Sequence, residues 1–118
     1  MDDPAAISYT YSYPMHPPTP VLLELSENAE EILGYSDAEW RADPYLWQKL
    51  LHPEDAQEVI AATWRTTFQK VVYDAAYRMV TRDSRIVWIR DTAEVEILED
   101  GAEIWRGTWT VIPEPDSP

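Results

Sequence analysis

Hydrophobic and polar residues alternate along ISYTYSY (7–13), near the start of the chain. One side of this stretch carries the large residues Ile7, Tyr9, Tyr11 and Tyr13. Small hydroxyl residues fall between them, and a period of two is the repeat of a β-strand. After the proline-rich loop PMHPPTP, the stretch VLLELS (21–26) predicts a second strand that pairs back on the first.

Helical signals occupy the middle of the chain. Ser26 is the predicted N-cap of a short helix, ENAEEIL, because serine at this position accepts a hydrogen bond from a free backbone N–H group, and Gly34 is the predicted end of that helix. Further starts are predicted at three places: the S-x-x-E pattern of Ser36 and Glu39, the pair Asp43-Pro44, and Pro53. The last of these helices is the longest, from about Glu54 to Gln69, with one apolar stripe.

The period returns to two from Val71 onward, which predicts three more strands. The turns TRDSR and LEDGAE separate them, and Asp100-Gly101 is a favoured hairpin pair. Two strands, a run of helices and three strands predict an α+β domain. Its expected architecture is a five-stranded antiparallel sheet with short helices gathered on one face.

Composition and charge narrow the function classes. The net charge of −13 argues against nucleic-acid partners and insertion into anionic membranes, which both favour basic surfaces. No apolar stretch approaches the roughly 20 residues of a membrane span. The start MDDPAAIS lacks the basic and apolar regions of a signal peptide, so we expect a cytoplasmic protein. The chain has no cysteine, which excludes disulfides and any photochemistry that needs a cysteinyl adduct.

Several motifs follow one another in a characteristic order. LELSENAEEILGYS joins a strand ending in serine to a helix closing on Gly-Tyr, and DAEWRADPYLW follows it. LLHPED, AYRM and TRDSRIVWI come next, with Gly107 late in the last strand. Together, from about Tyr9 to Ile112, these motifs resemble the PAS domain family of bacterial sensor proteins. The resemblance implies that the first strand lies beside the last in the centre of the sheet.

The resemblance also implies a domain division and a function. Residues 1–6 would be an N-terminal extension, residues 7–112 the PAS-like sensory domain, and residues 113–118 a tail or linker rich in proline and acid. Such a domain binds a small molecule or a partner, above all a second PAS copy or an output domain, and so regulates that output. The expected setting is a larger signalling protein of the two-component or cyclic-dinucleotide kind.

The chain departs from the family pattern at three points. Ala76 stands where the family usually has glutamate, and Ser84 replaces the turn glycine, which favours a different turn type. Val111, Ile112 and Pro113 occupy the place of the usual Asp-Ile-Thr ending. Since proline disfavours a helix that runs straight on, the usual rigid helical connector is in doubt.

We expect no catalysis in the chain itself, because no nucleophile, phosphate-loop or metalloprotease motif is present. We expect the acids to lie in caps, turns and polar strand faces, with none on an apolar stripe. No metal site is predicted: His52, Glu54 and Asp55 are too close in sequence to converge on one ion. A tightly bound cofactor is not expected, with haem and flavin both disfavoured.

Two sets of candidate site residues follow from the inferred faces. The predicted ligand-pocket wall consists of Trp47, Leu51, Trp64, Phe68, Tyr77, Met79 and Ile89. The predicted interface consists of Tyr9, Tyr11, Trp105 and Trp109. Pattern alone leaves two orientations open for the tyrosines: they either fill the core under the helices or form an apolar outer face that a partner covers.

One rival interpretation comes from a different class of protein. A small cone-shaped α+β enzyme, or a carrier of lipids or other small molecules, would have a similar order of elements and a deep apolar cavity. It would require an acid or a histidine inside that cavity. A carboxylate buried deep in an open cleft would therefore count against the sensory interpretation.

Overall fold

In a computed structural model of the chain, residues 6–14, 19–69 and 72–114 are described, with only the helical backbone given for 64–69. The strands are β1 (Ala6–Tyr13), β2 (Val21–Leu25), β3 (Tyr73–Val80), β4 (Ile86–Ile97) and β5 (Glu103–Ile112). The helices are α1 (Ala29–Leu33), α2 (Asp37–Ala42), α3 (Leu46–Leu50) and α4 (Pro53–Gln69).

The strands form one five-stranded antiparallel sheet in the order β2-β1-β5-β4-β3. The first strand therefore pairs with the last, and the helices lie in the long connection between β2 and β3. This arrangement confirms the predicted α+β architecture. The division into an extension, a domain and a tail stays a prediction.

The start of α1 differs from the sequence prediction. Its N-cap is Asn28, and Ser26 does not cap the helix. Instead the Ser26 hydroxyl accepts a hydrogen bond from the backbone N–H of Ser8 at 3.0 Å and donates one to Asn28 Oδ1 at 2.6 Å. Asn28 Nδ2 in turn donates to the Ala6 carbonyl at 2.7 Å. Ser26 and Asn28 therefore tie the helix to β1. Their side chains bond backbone groups of Ser8 and Ala6, which lie outside the part of β1 that pairs with β2.

The Gly34 and Ser36 region confirms two predicted helix boundaries. Gly34 ends α1 with a φ of 90°, the left-handed conformation that glycine adopts without strain. A Cβ on Gly34 would lie 2.8 Å from Arg82 Cβ, so glycine also permits close packing on the β3–β4 turn. Ser36 and Glu39 form the predicted capping box at the start of α2.

The HPED motif anchors α4 to the sheet. Asp55 accepts hydrogen bonds from the Arg78 backbone N–H at 2.8 Å and from two nitrogens of its guanidinium group at 2.9 and 2.7 Å. The Arg78 guanidinium lowers the pKa of Asp55 below its ordinary value. His52 Nδ1 accepts from the backbone N–H of Glu54 at 3.1 Å, which starts the helix. The side chains of this motif thus serve to place α4 across β3.

The two faces of the sheet differ in character. The inner face packs on the helices and contains most of the buried core, with Trp40 of α2 against Trp109 of β5. The outer face carries exposed ion pairs between strands, Arg90 with Asp74 at 2.8 Å and Arg106 with Glu96 at 2.9 Å. Exposed pairs of this kind contribute little to stability. Burial of the inner face is therefore the main driving force for this fold.

The β3–β4 turn generates a stability prediction at Ser84, which has a φ of 68°. A residue with a Cβ is strained in this left-handed conformation, and glycine is not. We expect Ser84→Gly to raise the free energy of unfolding by about 0.5 kcal/mol, measured by urea denaturation. The matched control is Ser12→Gly in the extended strand β1, which should instead lower it by about 0.5–1 kcal/mol. Equal destabilisation by both changes would contradict the assignment of strain to Ser84.

Candidate functional site

The tyrosines of β1 point toward the helices. Tyr9 and Tyr11 are buried, and the Tyr9 ring stacks on Trp109 with ring centroids 4.5 Å apart. Tyr13 meets the edge of Trp105 at 6.3 Å. These contacts decide between the two orientations left open by the sequence: the alternating aromatic residues of β1 line the inner face of the sheet.

A cavity of about 480 Å³ lies between the inner face and the helices. Its sheet wall is aromatic and comes from Tyr9, Tyr11, Tyr13, Trp105 and Trp109. Its helix wall includes Tyr45 and Trp47 near α3, and Ile60 and Thr63 of α4. This volume is within the range of small-molecule sites, about 300–1,000 Å³.

Asp91 is the carboxylate in the cavity wall. It lies on β4 and is only 2% exposed. Its Oδ1 accepts a hydrogen bond from the Tyr9 hydroxyl at 2.6 Å, and its Oδ2 accepts one from the Tyr77 hydroxyl at 2.7 Å. The indole N–H of Trp109 also reaches Oδ2 at 3.3 Å. Three strands, β1, β3 and β5, therefore each supply one donor to this single side chain.

Burial controls the electrostatics of this group. Removal from water raises the pKa of Asp91 to about 6, and the three donors oppose this shift because they stabilise the charged form. The pKa values of Tyr9 and Tyr77 are also raised, first by burial and then by the nearby Asp91 charge. Both hydroxyls therefore keep their protons at neutral pH and act as donors to Asp91.

The expectation that no acid lies on an apolar stripe was wrong at Asp91. The residue falls between Ile89 and Ala93, two buried positions on the same side of β4. Strict alternation along IVWIRDTAEV would have placed it on the inner face. The signal was thus present in the sequence, but its meaning depends on the donors of Tyr9 and Tyr77, which are far away along the chain.

Gly107 gives Tyr9 the space to reach Asp91. The two residues Tyr9 and Gly107 are directly paired across β1 and β5. A Cβ on Gly107 would lie 2.5 Å from the Tyr9 hydroxyl oxygen and 2.7 Å from the Thr92 carbonyl oxygen. Because no side chain fits at that distance, glycine here is required by the close approach of the tyrosine ring.

Two more residues with polar groups line the cavity, Tyr11 and Glu103. The Tyr11 hydroxyl is buried and has no hydrogen-bond partner among the residues that the structure describes. Glu103, at the start of β5, accepts a hydrogen bond from the Trp105 indole N–H at 2.9 Å. A buried hydroxyl without a partner is unfavourable, and a molecule in the cavity that reached this oxygen would satisfy it.

The structure separates the predicted pocket residues into three groups. Trp47 lines the cavity, and its indole N–H donates to the Tyr77 hydroxyl at 3.0 Å. Tyr77 and three other apolar residues are buried in the core and are not among the described residues that line the cavity; the three are Leu51, Met79 and Ile89. The side chains of Trp64 and Phe68 lie outside the described residues.

The four predicted interface residues occupy a different place from the one expected of an interface. In the single chain they are already buried, with exposed fractions of at most 6%: Tyr9, Tyr11, Trp105 and Trp109. All four contribute to the cavity wall. The interface itself stays a prediction.

A comparison with known protein families identifies the family of this chain. A family model described as the PAS fold matches residues 22–109, which is most of the chain. The chain belongs to the PAS family. The PAS domains of this family are generally sensory, non-catalytic modules that mediate interactions. No curated protein sequence matches this PAS domain.

Several solved structures share the fold of this PAS domain. The N-terminal domain of a diguanylate cyclase with a PAS/PAC sensor from Marinobacter aquaeolei is 25% identical, with a TM-score of 0.76; the match covers 90% of this chain and 94% of that one. A sensory box histidine kinase/response regulator from Burkholderia thailandensis is 21% identical, with a TM-score of 0.66, and the coverage is 89% and 76%. A PAS domain from Colwellia psychrerythraea is 17% identical, with a TM-score of 0.63 and coverage of 86% and 82%.

The PAS fold found here is thus the fold of sensory signalling proteins that include a cyclase and a histidine kinase. Within the part of the chain that the structure describes, no helix is both long and apolar enough to cross a membrane.

Gly107 generates a prediction for the stability of this PAS domain. We expect Gly107→Ala to lower the free energy of unfolding by about 2 kcal/mol, because the new methyl group displaces the Tyr9 ring from Asp91. Denaturant unfolding followed by tryptophan fluorescence measures the change. The control is Thr108→Ala, the next residue along β5 on the outer face, which should cost less than about 1 kcal/mol. If alanine were tolerated at Gly107, the close approach of Tyr9 would be refuted.

Asp91 generates a prediction for pH dependence. Its folded-state pKa, about 6, lies above the ordinary value of 3.8, so the folded state holds this proton more tightly than the unfolded state. The stabilising contribution is therefore complete below pH 3.8 and is lost as the pH rises through 6. Tyr9 and Tyr77, which face Asp91, stay neutral throughout, and Asp74 on the outer face of the sheet adds a like charge that favours the protonated form.

The measurement compares the unfolding free energies of the wild type and Asp91→Asn at pH 5 and pH 8. Asparagine resembles the protonated acid, so the stability of the variant relative to wild type should increase by about 1–2 kcal/mol over this range. Groups that titrate in both chains contribute equally to both unfolding free energies, so the difference between variant and wild type does not contain their contribution. In the exposed control Asp74→Asn the difference should stay nearly constant. A constant difference for Asp91→Asn as well would show that burial does not perturb this carboxyl group.

Proposed function

We propose that this PAS domain senses a small molecule that binds in the cavity between the sheet and the helices. The observation that carries the proposal is the cavity itself, about 480 Å³ in volume, which has an aromatic wall and a few polar residues in its lining. Pockets for small molecules commonly have this composition, with apolar walls for affinity and a few polar groups for orientation.

The hydrogen-bonding groups of the cavity support the proposal. A wall used only for packing would have no need of polar atoms at its surface. Here the lining includes the Asp91 carboxylate, whose three partners are all neutral donors, and Tyr11, whose buried hydroxyl has no partner among the described residues. A ligand with complementary polar atoms would satisfy them.

A bound molecule would touch parts of the fold that are distant in sequence. Trp47 belongs to α3 and Thr63 to α4, while Trp105 belongs to the central strand β5. A ligand that contacts all three elements favours the arrangement in which they are closest together. Since β5 leads to the C-terminal residues, a shift of this strand against the helices is the route by which we propose that the signal leaves the domain.

The proposed recipient of the signal is an output domain in the same protein, or a second PAS copy that pairs with this one. The cyclase and histidine kinase structures of the same fold illustrate the kinds of output involved. Pro113 and Glu114 follow β5 without regular secondary structure, so coupling through a straight continuous helix from β5 is disfavoured. We therefore favour coupling through a change in contacts between domains.

The rival class, a small enzyme or carrier with a deep cavity, gains support from one observation, the carboxylate of Asp91 in the cavity wall. Two features favour a sensor instead. Three protein donors occupy the lone pairs of Asp91, which leaves little of its carboxylate to act as a general base. The family is also one of generally non-catalytic modules. Turnover of a cavity-bound compound that Asp91→Asn abolished would favour the rival.

The experiment that tests the sensory proposal uses native mass spectrometry and a visible absorption spectrum of the purified chain. We expect a retained small molecule, or a thermal shift of about 2–5 °C when a cellular metabolite extract is added. The variant Ile60→Phe narrows the cavity from α4 and should reduce either signal. The matched control is Gln57→Phe, an exposed position on the same helix, which should retain it.

Two results would overturn the proposal. The first is a wild-type chain that carries no molecule and shows no thermal shift with any extract fraction. The second is a signal that survives Ile60→Phe and is lost in Gln57→Phe, since binding would then occur outside the cavity. A clean dimer without a bound molecule, by analytical ultracentrifugation, would favour a domain that functions by dimerisation alone.

A further inference from the structure

We infer that the ligand of this cavity is a small organic cation, such as a quaternary or protonated amine. The inference rests on the proposed function and adds the chemical class of the molecule sensed. Three features of the cavity carry it: the aromatic wall, the sign of the charges in that wall, and the burial of Asp91 among donors that are all neutral.

The first feature is the continuity of the aromatic wall. The rings of Tyr9, Tyr11 and Tyr13 follow one another with centroids 6.1 and 6.2 Å apart, and Tyr9 continues into Trp109 at 4.5 Å. The faces of aromatic rings carry negative electrostatic potential and attract cations within about 6 Å of the centroid. Several rings around one space form the kind of cage that recognises alkylated ammonium groups.

The second feature is the sign of the formal charges. The cavity wall contains two carboxylates, Asp91 and Glu103. Among the described residues that line it, none is lysine, arginine or histidine. The chain as a whole has a net charge of −13, so the field around the cavity also attracts cations and repels anions. An anionic ligand would meet only repulsion from these groups.

The third feature is the way in which Asp91 is presented. The carboxylate is buried behind the cavity surface, where its charge is only partly compensated by neutral donors. The Tyr9 hydroxyl donates its proton to Asp91, so its remaining lone pair can only accept. A protonated amine offers charge and N–H donors and has no lone pair, so it would complement both groups, while a quaternary ammonium group offers its charge to Asp91 alone.

A neutral ligand would account for fewer features of this cavity than a cation does. A neutral apolar molecule would fill the aromatic space but would leave Asp91 as a buried charge with no counter-ion, which is the costly arrangement in a low-dielectric interior. A cation reduces that cost in the bound state. Cation binding thus has a specific source of free energy at Asp91 that a neutral molecule of the same shape lacks.

The test compares two probes of nearly the same shape. Choline carries a trimethylammonium group, and 3,3-dimethylbutan-1-ol replaces that nitrogen with carbon and carries no charge. Isothermal titration calorimetry and tryptophan fluorescence of the full chain measure binding of each. We expect saturable binding of choline, with the neutral alcohol at least about tenfold weaker, because cation–π and ionic attraction act on choline alone.

The variant pair Asp91→Asn and Asp74→Asn locates the effect. Both changes remove one negative charge from a strand, but only Asp91 lies in the cavity wall, while Asp74 pairs with Arg90 on the outer face. We expect Asp91→Asn to weaken choline binding about tenfold or more and to weaken binding of the neutral alcohol much less. Asp74→Asn should retain wild-type affinity. Glu103→Gln at the cavity rim is a second variant, with an expected loss of several fold, should Asp91→Asn fail to fold by circular dichroism.

The possible failures are distinguishable. If the neutral alcohol binds as tightly as choline, or if choline does not bind while the purified chain carries a neutral or anionic molecule, the cation inference is wrong and the sensory proposal stands. If choline does not bind and the native mass spectrum and extracts also give no ligand, both are wrong. Choline binding that Asp91→Asn leaves intact would overturn the role of this carboxylate in recognising the cation.

Discussion

The hydrogen-bonded group formed by Asp91 with Tyr9, Tyr77 and Trp109 is the interaction on which the arrangement of this PAS domain depends. A buried carboxylate is tolerated only where donors surround it, and here three different strands supply them. The donors are correctly placed only when β1, β3 and β5 have their native register. This hydrogen-bonded group thus favours one strand order among those that a hydrophobic sheet face alone would permit.

The same group explains why the inner face of the sheet combines aromatic bulk with a cavity. Tyr9 must extend over β5 to reach Asp91, and this is feasible only because Gly107 has no side chain. The rings that lie beside Tyr9 then stand along the sheet as a wall and leave space between the sheet and the helices. Structural stability and the proposed binding of a cation would therefore draw on the same residues.

Family membership and the chemistry of the site answer different questions. The PAS fold accounts for the strand order, the short helices and the anchoring of α4 by Asp55 and Arg78. It does not by itself specify what the cavity holds, since domains of one fold carry sites of different chemistry. The choice of an organic cation comes from the carboxylates and rings of this particular wall, and any output comes from whatever is attached or associated.

The sequence by itself determined the elements, because periodicity, capping residues and turn residues act over a few neighbouring positions: the capping box of Ser36 and the αL glycine at Gly34 are both present as predicted. It also determined the family, from motifs that occur in order along the chain. Only the tertiary structure decided which way the β1 tyrosines point and that Asp91 is buried among donors. Those facts depend on contacts between residues as far apart as Tyr9 and Asp91, which no local pattern encodes.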